Sequence, residues 1–469
     1  MKYKHVLALN PYFGSSTSTV GLFPPTGLEY IAAAMKGYAG KITLMDLRHE
    51  AEFQNPAALS AFIKKEIDLV CISIRWGIFF KEICELINQL TVDVPVVVGG
   101  YQATEEVEFL LEHCPNIGVV VRGEGEFIIR EIVQGLPYKD IRGISYRVDG
   151  KIVHNENAQL PELALIPFPD RSMRKNSYYY EQHGASLKAV TFDTVLTTRG
   201  CPFKCQFCTF SLNPLGQKRG YAERPLADVI EELKTITADI IMLSDDNFFT
   251  NPRRSEELCD LIIANGIKKT FFVQTRIEIA KRPSLLEKAE KAGFKVLLIG
   301  VESPHDKILK HFQKGFTQDK IRRSFKELNK YNFYIHGYFI YANIGETEEE
   351  MVYIAQFARE LKLDSISFHK LRVEKFSPLK EVVENTPGYY YEYIGGPVYS
   401  DTHSLKDLKR IRDRIKFGFY TPGQVLRTFK KMYDVRLLSK SAMSSFMLTL
   451  PVLLYGMMKR EFRKKGWLS

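Results

Sequence analysis

The 469-residue sequence is short of the features that mark a secreted or membrane-spanning protein. Its seven cysteines form no paired framework: Cys71, Cys84, Cys114 and Cys259 are scattered, and Cys201, Cys205 and Cys208 crowd into one window of eight residues. A reducing compartment is expected. The opening MKYKHVLALNPYF enters an apolar run directly, without the longer apolar region and small-residue cleavage site of a leader, so a cytoplasmic protein is expected. The most apolar stretch, residues 442–458, is interrupted by Pro451 and bracketed by Lys440 and Lys459-Arg460, below the length of a spanning helix. No Ser-His-Asp arrangement or paired acid-base set argues for polar catalysis. With 45% hydrophobic and 26% charged residues, wholesale disorder is also excluded.

Acidic residues are scarce at the C-terminal end. Residues 401–469 hold 16 Lys and Arg against 5 Asp and Glu, a charge of +11 beside +10 for the whole chain. Such a block suits an acidic protein surface, a phosphate-bearing ligand or an anionic membrane; the alternative is a solvated helical face. A nucleic-acid partner is not expected.

What is present falls into two α/β series. Strand-like runs at His5 to Asn10, Ile42 to Asp46, Leu69 to Ile74, Val94 to Val98 and Ile117 to Val121 alternate with helical patterns, which predicts a doubly wound parallel sheet over residues 1–140, covered on both faces. Ligands of such sheets bind beyond the carboxyl ends of the strands. The loops there read Asn10-Pro11-Tyr12, Asp46-Leu47-Arg48, Arg75-Trp76-Gly77, Gly99-Gly100-Tyr101-Gln102-Ala103-Thr104 and Arg122-Gly123-Glu124-Gly125-Glu126. A linker at 141–189 carries Pro161, Pro167 and Pro169. Six further βα units over 190–375, with strands at Thr194 to Thr198, Ile240 to Leu243, Phe271 to Gln274, Val296 to Gly300, Tyr334 to Ile340 and Ser365 to His369, predict a partial barrel whose reactive face is the carboxyl end of its strands. Residues 376–469 read as a basic helical region.

The cysteine window, Thr198-Arg199-Gly200-Cys201-Pro202-Phe203-Lys204-Cys205-Gln206-Phe207-Cys208, follows the first strand of that series. Three thiolates on one loop suit three irons of a cubane and leave the fourth iron open to a ligand. A structural zinc site normally finds a fourth Cys or His close by, and none follows soon after Cys208.

At these residues the chain resembles the radical S-adenosylmethionine superfamily. The resemblance implies a 4Fe-4S cluster on Cys201, Cys205 and Cys208. Its open iron binds S-adenosylmethionine, and one electron cleaves the sulfonium to a 5′-deoxyadenosyl radical. By the same resemblance Phe207 lies against the adenine, and Asp245 and Asp246 face the cofactor. Gln274, Arg276, Glu302 and Ser303 contact the ribose and the methionyl end. Gly345-Glu346-Thr347 resembles the turn after the fifth strand. Taken from the residues alone, Asp245 and Asp246 equally suit a helix cap, and Glu302 an exposed strand end.

The doubly wound region ahead of the barrel is similar to the cobalamin-binding members. The matches are Pro24-Pro25-Thr26-Gly27-Leu28-Glu29, Val98-Gly99-Gly100 with Gln102, Ala103 and Thr104, and Arg122-Gly123-Glu124. The paired glycines are expected to let the backbone approach a corrin closely. The cobalt-ligating pattern Asp-x-His-x-x-Gly is absent, and Arg75 and Trp76 are candidates for the corrin's lower face, with packing of Trp76 as the alternative. The resemblance implies C-methylation of an sp3 carbon from methylcobalamin, on a peptide or protein side chain such as one of methyl-coenzyme M reductase. Alternatively the substrate is a hopanoid-type lipid, or the reaction a cyclisation or rearrangement. It further implies a flavodoxin or ferredoxin-type reductant. The basic C-terminal region suits a protein substrate or a membrane surface, and residues 442–458 a buried helix over the barrel mouth or an interfacial one.

Overall fold

The computed structural model describes residues 1–13, 23–75, 79–182, 185–209, 212–213 and 215–438. Trp76 and the apolar stretch 442–458 lie outside the described residues. The chain divides into two compact units. The first comprises 1–186, 192–200 and 210–237, and the second 187–191, 201–209 and 238 onward. The division is therefore not one cut in the chain, since segments between 187 and 238 alternate between the units.

The first unit holds a seven-stranded sheet: β1 (His5–Asn10), β2 (Lys41–Asp46), β3 (Leu69–Ser73), β4 (Val96–Gly99), β5 (Ile117–Val121), β6 (Ile144–Val148) and β7 (Lys151–His154). The order is β2-β1-β3-β4-β5-β6-β7, parallel from β2 to β5 and antiparallel through β6 and β7. The β-branched runs are continuous because both faces are covered. Leu7, Leu9, Val70, Ile72 and Val98 pack with Leu59, Ile63, Ile83 and Ile87, while their strand neighbours Val6, Ala8, Cys71 and Val97 pack with Leu28, Ala32, Ile128 and Ile132 on the other side. The β6–β7 hairpin extends the sheet beyond the five strands expected. Asp149 and Gly150 turn it with φ of 49° and 74°, the left-handed pair of a type I′ turn.

Strand order reverses at β1, which has β2 on one side and β3 on the other. The carboxyl ends of β1 and β3 thus flank the crevice where ligands of such sheets sit.

The second sheet contains β8 (Tyr179–Gln182), β9 (Ala185–Val195), β12 (Ile240–Leu243), β13 (Thr270–Thr275), β14 (Phe294–Glu302), β15 (Tyr334–Tyr341) and β16 (Ser365–Lys370) in the order β16-β15-β14-β13-β12-β9-β8. The four neighbouring pairs from β12 to β16 are parallel. The strand ahead of the cysteine loop differs from expectation: it ends at Val195, and Thr198–Arg199 (β10) instead pairs antiparallel with Ala222–Glu223 (β11). Polar residues interrupt β9 throughout, at Ser186, Lys188, Thr191, Asp193 and Thr194, so it lacks the continuous apolar run that marks its neighbour β12. Within the second unit, Phe271, Phe294, Phe325, Phe339 and Phe357 are fully buried. The helix Glu348–Glu360 begins on a capping box, with the Thr347 side chain accepting from Glu350 N and three glutamates in its first turn. Thr347 of the Gly-Glu-Thr turn is thus a helix cap.

Candidate active site

In the second unit the cysteine loop is pinned by its backbone. Gln206 N donates to Phe312 O at 3.2 Å, Ser377 Oγ donates to Gln206 O at 2.7 Å, and Cys208 N closes a turn on Cys205 O at 3.1 Å. All seven cysteines are free thiols, and Cys201, Cys205 and Cys208 are half-exposed while the other four are buried. That contrast fits the donor set of a cluster: three accessible thiols on one ordered loop, without disulfide partners. Among the described residues no three His, Cys, Asp or Glu side chains gather in the arrangement of a single metal ion. A cubane instead takes each thiolate on a separate iron.

Arg276 follows β13 and reaches this loop. Its Nη1 lies 3.4 Å from Cys205 Sγ, and its guanidinium stands 3.8 Å from the centroid of the Phe203 ring. Phe207 packs against Phe312 with ring centroids 4.7 Å apart and stays half-exposed. Burial and the nearby Asp246 push the Cys201 thiol up. Asp245 is fully buried, and Asp246 and Gln274 are half-buried.

Glu302 departs from simple strand-end geometry. It adopts φ of 68°, unusual for a residue with a side chain, at a register slip between β14 and β15. Its Oε1 accepts from Lys314 Nζ at 3.1 Å, and both side chains are at least nine-tenths buried. Gly300 makes room for this pair, because a Cβ there would stand 2.5 Å from Glu302 Oε1 and 3.3 Å from Lys314 Nζ. Backbone strain that holds a buried ion pair beside a candidate cluster loop is the kind found at ligand-binding positions. Lys314 also lies 5.7 Å from the Phe207 ring. Sequence reading missed Lys314, which follows a short helix with no motif of its own. Ser303 is buried, and its Oγ accepts from His305 N at 3.1 Å, a turn-forming role.

Glu346 and Asn343 form a buried pair after β15. Asn343 N and Nδ2 donate to Glu346 Oε2 at 2.9 and 3.0 Å, while Glu346 Oε1 and Asn343 Oδ1 have no hydrogen-bond partner. Burial pushes the Glu346 carboxyl up to about 7. A raised carboxyl makes folding most favourable below the unfolded value near 4.5, and the contribution is lost as pH rises through about 7. The shift corresponds to at most about 3 kcal/mol. Glu346→Gln is therefore expected to flatten the loss of thermal stability between pH 5 and pH 8; melting curves with the same slope as wild type would show that Glu346 does not titrate there.

The carboxyl edge of the first sheet is largely self-satisfied. Asp46 accepts from Asn10 Nδ2 at 2.9 Å, from Tyr178 Oη at 2.8 Å and from Arg48, whose charge and hydrogen bonds hold the carboxyl low against its burial. Arg75, after β3 at the crevice, is the contrast. It is half-buried, its guanidinium makes no hydrogen bond or ion pair with any described residue, and it is pushed down by burial with Arg48 nearby. An uncommitted cation at the switch point fits a corrin with its amides and phosphate.

The other residues expected near the corrin have protein partners. Gly100, with φ of 113°, must be glycine because a Cβ would stand 2.5 Å from Ile74 O, so the close approach it permits is to the protein's own backbone. Gly123 likewise lies against Leu215 and Asn213, whereas Gly99 would meet only Val121, at 3.5 Å. Gln102 donates through Nε2 to Glu106 at 3.3 Å and through its backbone N to Arg75 O at 3.0 Å. Arg122 donates to Asn157 Oδ1 at 2.8 Å and to the carbonyls of Ile144 and Asn155. Glu124 accepts two bonds from Arg219, at 2.6 and 2.7 Å, and one from Arg199 at 2.5 Å, while Arg199 also pairs with Glu126. The Arg122–Glu126 loop therefore grips Arg199, two residues before the first cysteine.

The B12 binding domain model matches residues 16–133, and the Radical SAM superfamily model matches residues 195–358. The chain thus joins a B12 binding domain to a radical SAM domain, the pairing of the cobalamin-binding radical S-adenosylmethionine enzymes. Its cofactors are a 4Fe-4S cluster, S-adenosylmethionine and cobalamin. This radical enzyme is 28% identical over 379 residues, 78% of this chain and 80% of the other, to a protein of Pyrococcus horikoshii described as an uncharacterized methyltransferase. It is 22% identical over 431 residues to the anaerobic magnesium-protoporphyrin IX monomethyl ester cyclase of Cereibacter sphaeroides, covering 88% of this chain and 65% of that one, just under two thirds of the cyclase. The fold matches that of TsrM from Kitasatospora setae, a radical S-adenosylmethionine methyltransferase solved with cobalamin and a [4Fe-4S] cluster, with TM-score 0.68, 18% identity and coverage of 84% and 81% of the two chains. Among its described residues, no helix is long and apolar enough to cross a membrane.

Proposed function

We propose that this cobalamin-dependent radical methyltransferase methylates an unactivated sp3 carbon, in a peptide or protein side chain, within a reducing, cytoplasmic setting. When bound, the cluster supplies the electron that opens the sulfonium of S-adenosylmethionine, and cobalamin carries the methyl group. Cys201, Cys205 and Cys208 are the cluster ligands. The Glu302–Lys314 pair beside Phe207 offers S-adenosylmethionine a fixed carboxylate and cation. Arg75 is the candidate side chain for the corrin.

The observation that carries the reading is the accessible CX3CX2C loop in one chain with a B12 binding domain. Gln274, Gly300, Tyr338 and Ile340 lie on the less buried side of β13, β14 and β15, which gives a substrate carbon a surface to approach. The peptide preference draws on the basic helix Leu405–Phe419, where Lys406 and Lys409 are exposed and have no acid partner among the described residues. The same face suits an acidic flavodoxin or ferredoxin-type reductant. A cyclase reading is favoured by the similarity over 88% of the chain to the protoporphyrin ester cyclase.

The test is anaerobic reconstitution with iron, sulfide and hydroxocobalamin, then incubation with methyl-deuterated S-adenosylmethionine and cell extract. Both 5′-deoxyadenosine and S-adenosylhomocysteine are expected, with the labelled methyl in the peptide fraction. Label confined to lipid would replace the substrate reading, and deoxyadenosine without S-adenosylhomocysteine would replace methyl transfer by ring closure.

A further inference from the structure

The resemblance places Arg276 among the residues that contact the ribose and the methionyl end of S-adenosylmethionine, but its donors are already spent. An arginine has five N–H donors in a rigid fork. Nε donates to Glu278 Oε2 at 3.3 Å, Nη2 donates to Glu278 Oε1 at 3.4 Å and to Lys314 O, and Nη1 donates to Cys205 Sγ at 3.4 Å. Four of the five N–H groups are thus taken, and the one left cannot form a bidentate clamp on a carboxylate. The Phe203 ring at 3.8 Å and the Phe316 ring at 5.3 Å confine the guanidinium. Its side chain is buried to about nine-tenths, so the bond to sulfur forms largely away from water.

We infer that Arg276 is a positioning residue for the cluster: its charged N–H bond to the Cys205 sulfur holds that thiolate and sets the cluster's reduction potential. The inference rests on the cluster being carried by Cys205. Negative charge grows on the thiolates when the cluster accepts one electron. A donor to sulfur therefore stabilises the reduced state more than the oxidised state, and hydrogen bonds to sulfur are among the terms that set such potentials. The same groups explain the position of Lys314, whose carbonyl is tied to Arg276 while its ammonium serves Glu302. A single arginine thereby links the cysteine loop to the strained Glu302 strand end.

The test compares wild type, Arg276→Gln and Arg276→Met after reconstitution, with iron and sulfide content measured first. Poised electrochemical titration, read by the electron paramagnetic resonance of the reduced cluster, then gives the fraction reduced at one fixed potential. Arg276→Met is expected to shift the ratio of reduced to oxidised cluster about tenfold toward oxidised, equivalent to about 59 mV. Arg276→Gln, which keeps an N–H donor without the charge, is expected between Met and wild type. Equal reduced fractions in Gln and wild type would overturn the inference even if Met failed to hold iron. Failure of wild type itself to take up iron would instead overturn the cluster assignment.

Discussion

Cys205→Ala is expected to leave a folded chain that forms no 5′-deoxyadenosine, a loss of at least about a thousandfold, or more than about 4 kcal/mol of barrier. The fold is expected to survive because Cys205 is half-exposed and its backbone carbonyl, which accepts from Cys208 N, is unchanged. The chemistry is expected to fail because two thiolates are left where a site-differentiated cubane needs three. Arg276 Nη1 would also lose its sulfur acceptor. Cys259→Ala is the control. That thiol is fully buried on the helix Pro252–Ala264, so its removal should cost about 1 kcal/mol of stability and leave deoxyadenosine formation intact. Iron content, the charge-transfer absorption of the cluster and product analysis decide the matter: a cluster-loaded, active Cys205→Ala protein would remove the cysteine loop from the mechanism.

The parts of the molecule legible in the sequence are those whose signal is local. Leu69 to Ser73 reads as a buried parallel strand because every residue of Leu-Val-Cys-Ile meets a covered face. The cysteine loop is legible because all its donors lie within one window. The Asp149-Gly150 hairpin carries an equally local signal, an Asp-Gly pair between Ile-Ser-Tyr-Arg-Val and Lys-Ile-Val-His, and it adds two strands beyond the five expected. What was hidden depends on distant partners. Glu124 has the look of a cofactor contact until Arg219, 95 residues on, takes its carboxylate. Gly100 suggests close approach by a ligand, but the approaching atom is Ile74 O. Nothing local distinguishes Lys314 from the other lysines nearby, because its importance comes from Glu302 and a missing Cβ at Gly300.

The same long-range pairing predicts the largest stability effect. Glu232, on the helix Leu226–Thr235, is fully buried and pairs with Arg171 at 2.9 Å and Arg224 at 2.6 Å. Arg171 also binds Asp193 at 2.9 Å and Thr194 O at 2.8 Å, and Arg174 continues the chain from Asp193 to Glu29. Arg224 donates to Leu196 O at 2.7 Å, and its backbone N donates to Thr197 O at 3.0 Å. The residues that lead to the first cysteine are therefore held by arginines that pair with Glu232. Glu232→Leu leaves the buried Arg224 guanidinium without its carboxylate and Arg171 with Asp193 alone, and breaking a buried pair in this way costs roughly 3–5 kcal/mol, a fall in melting temperature on the order of 10 °C. Replacing Glu232 and Arg224 together with apolar residues, with Arg171 still paired to Asp193, is expected to recover most of that loss, since the cost lies in the unpaired charge rather than in the absence of the pair. A Glu232→Leu protein within about 1 kcal/mol of wild type in denaturant titration would mean that water reaches these arginines and that the approach to the cysteine loop is held some other way.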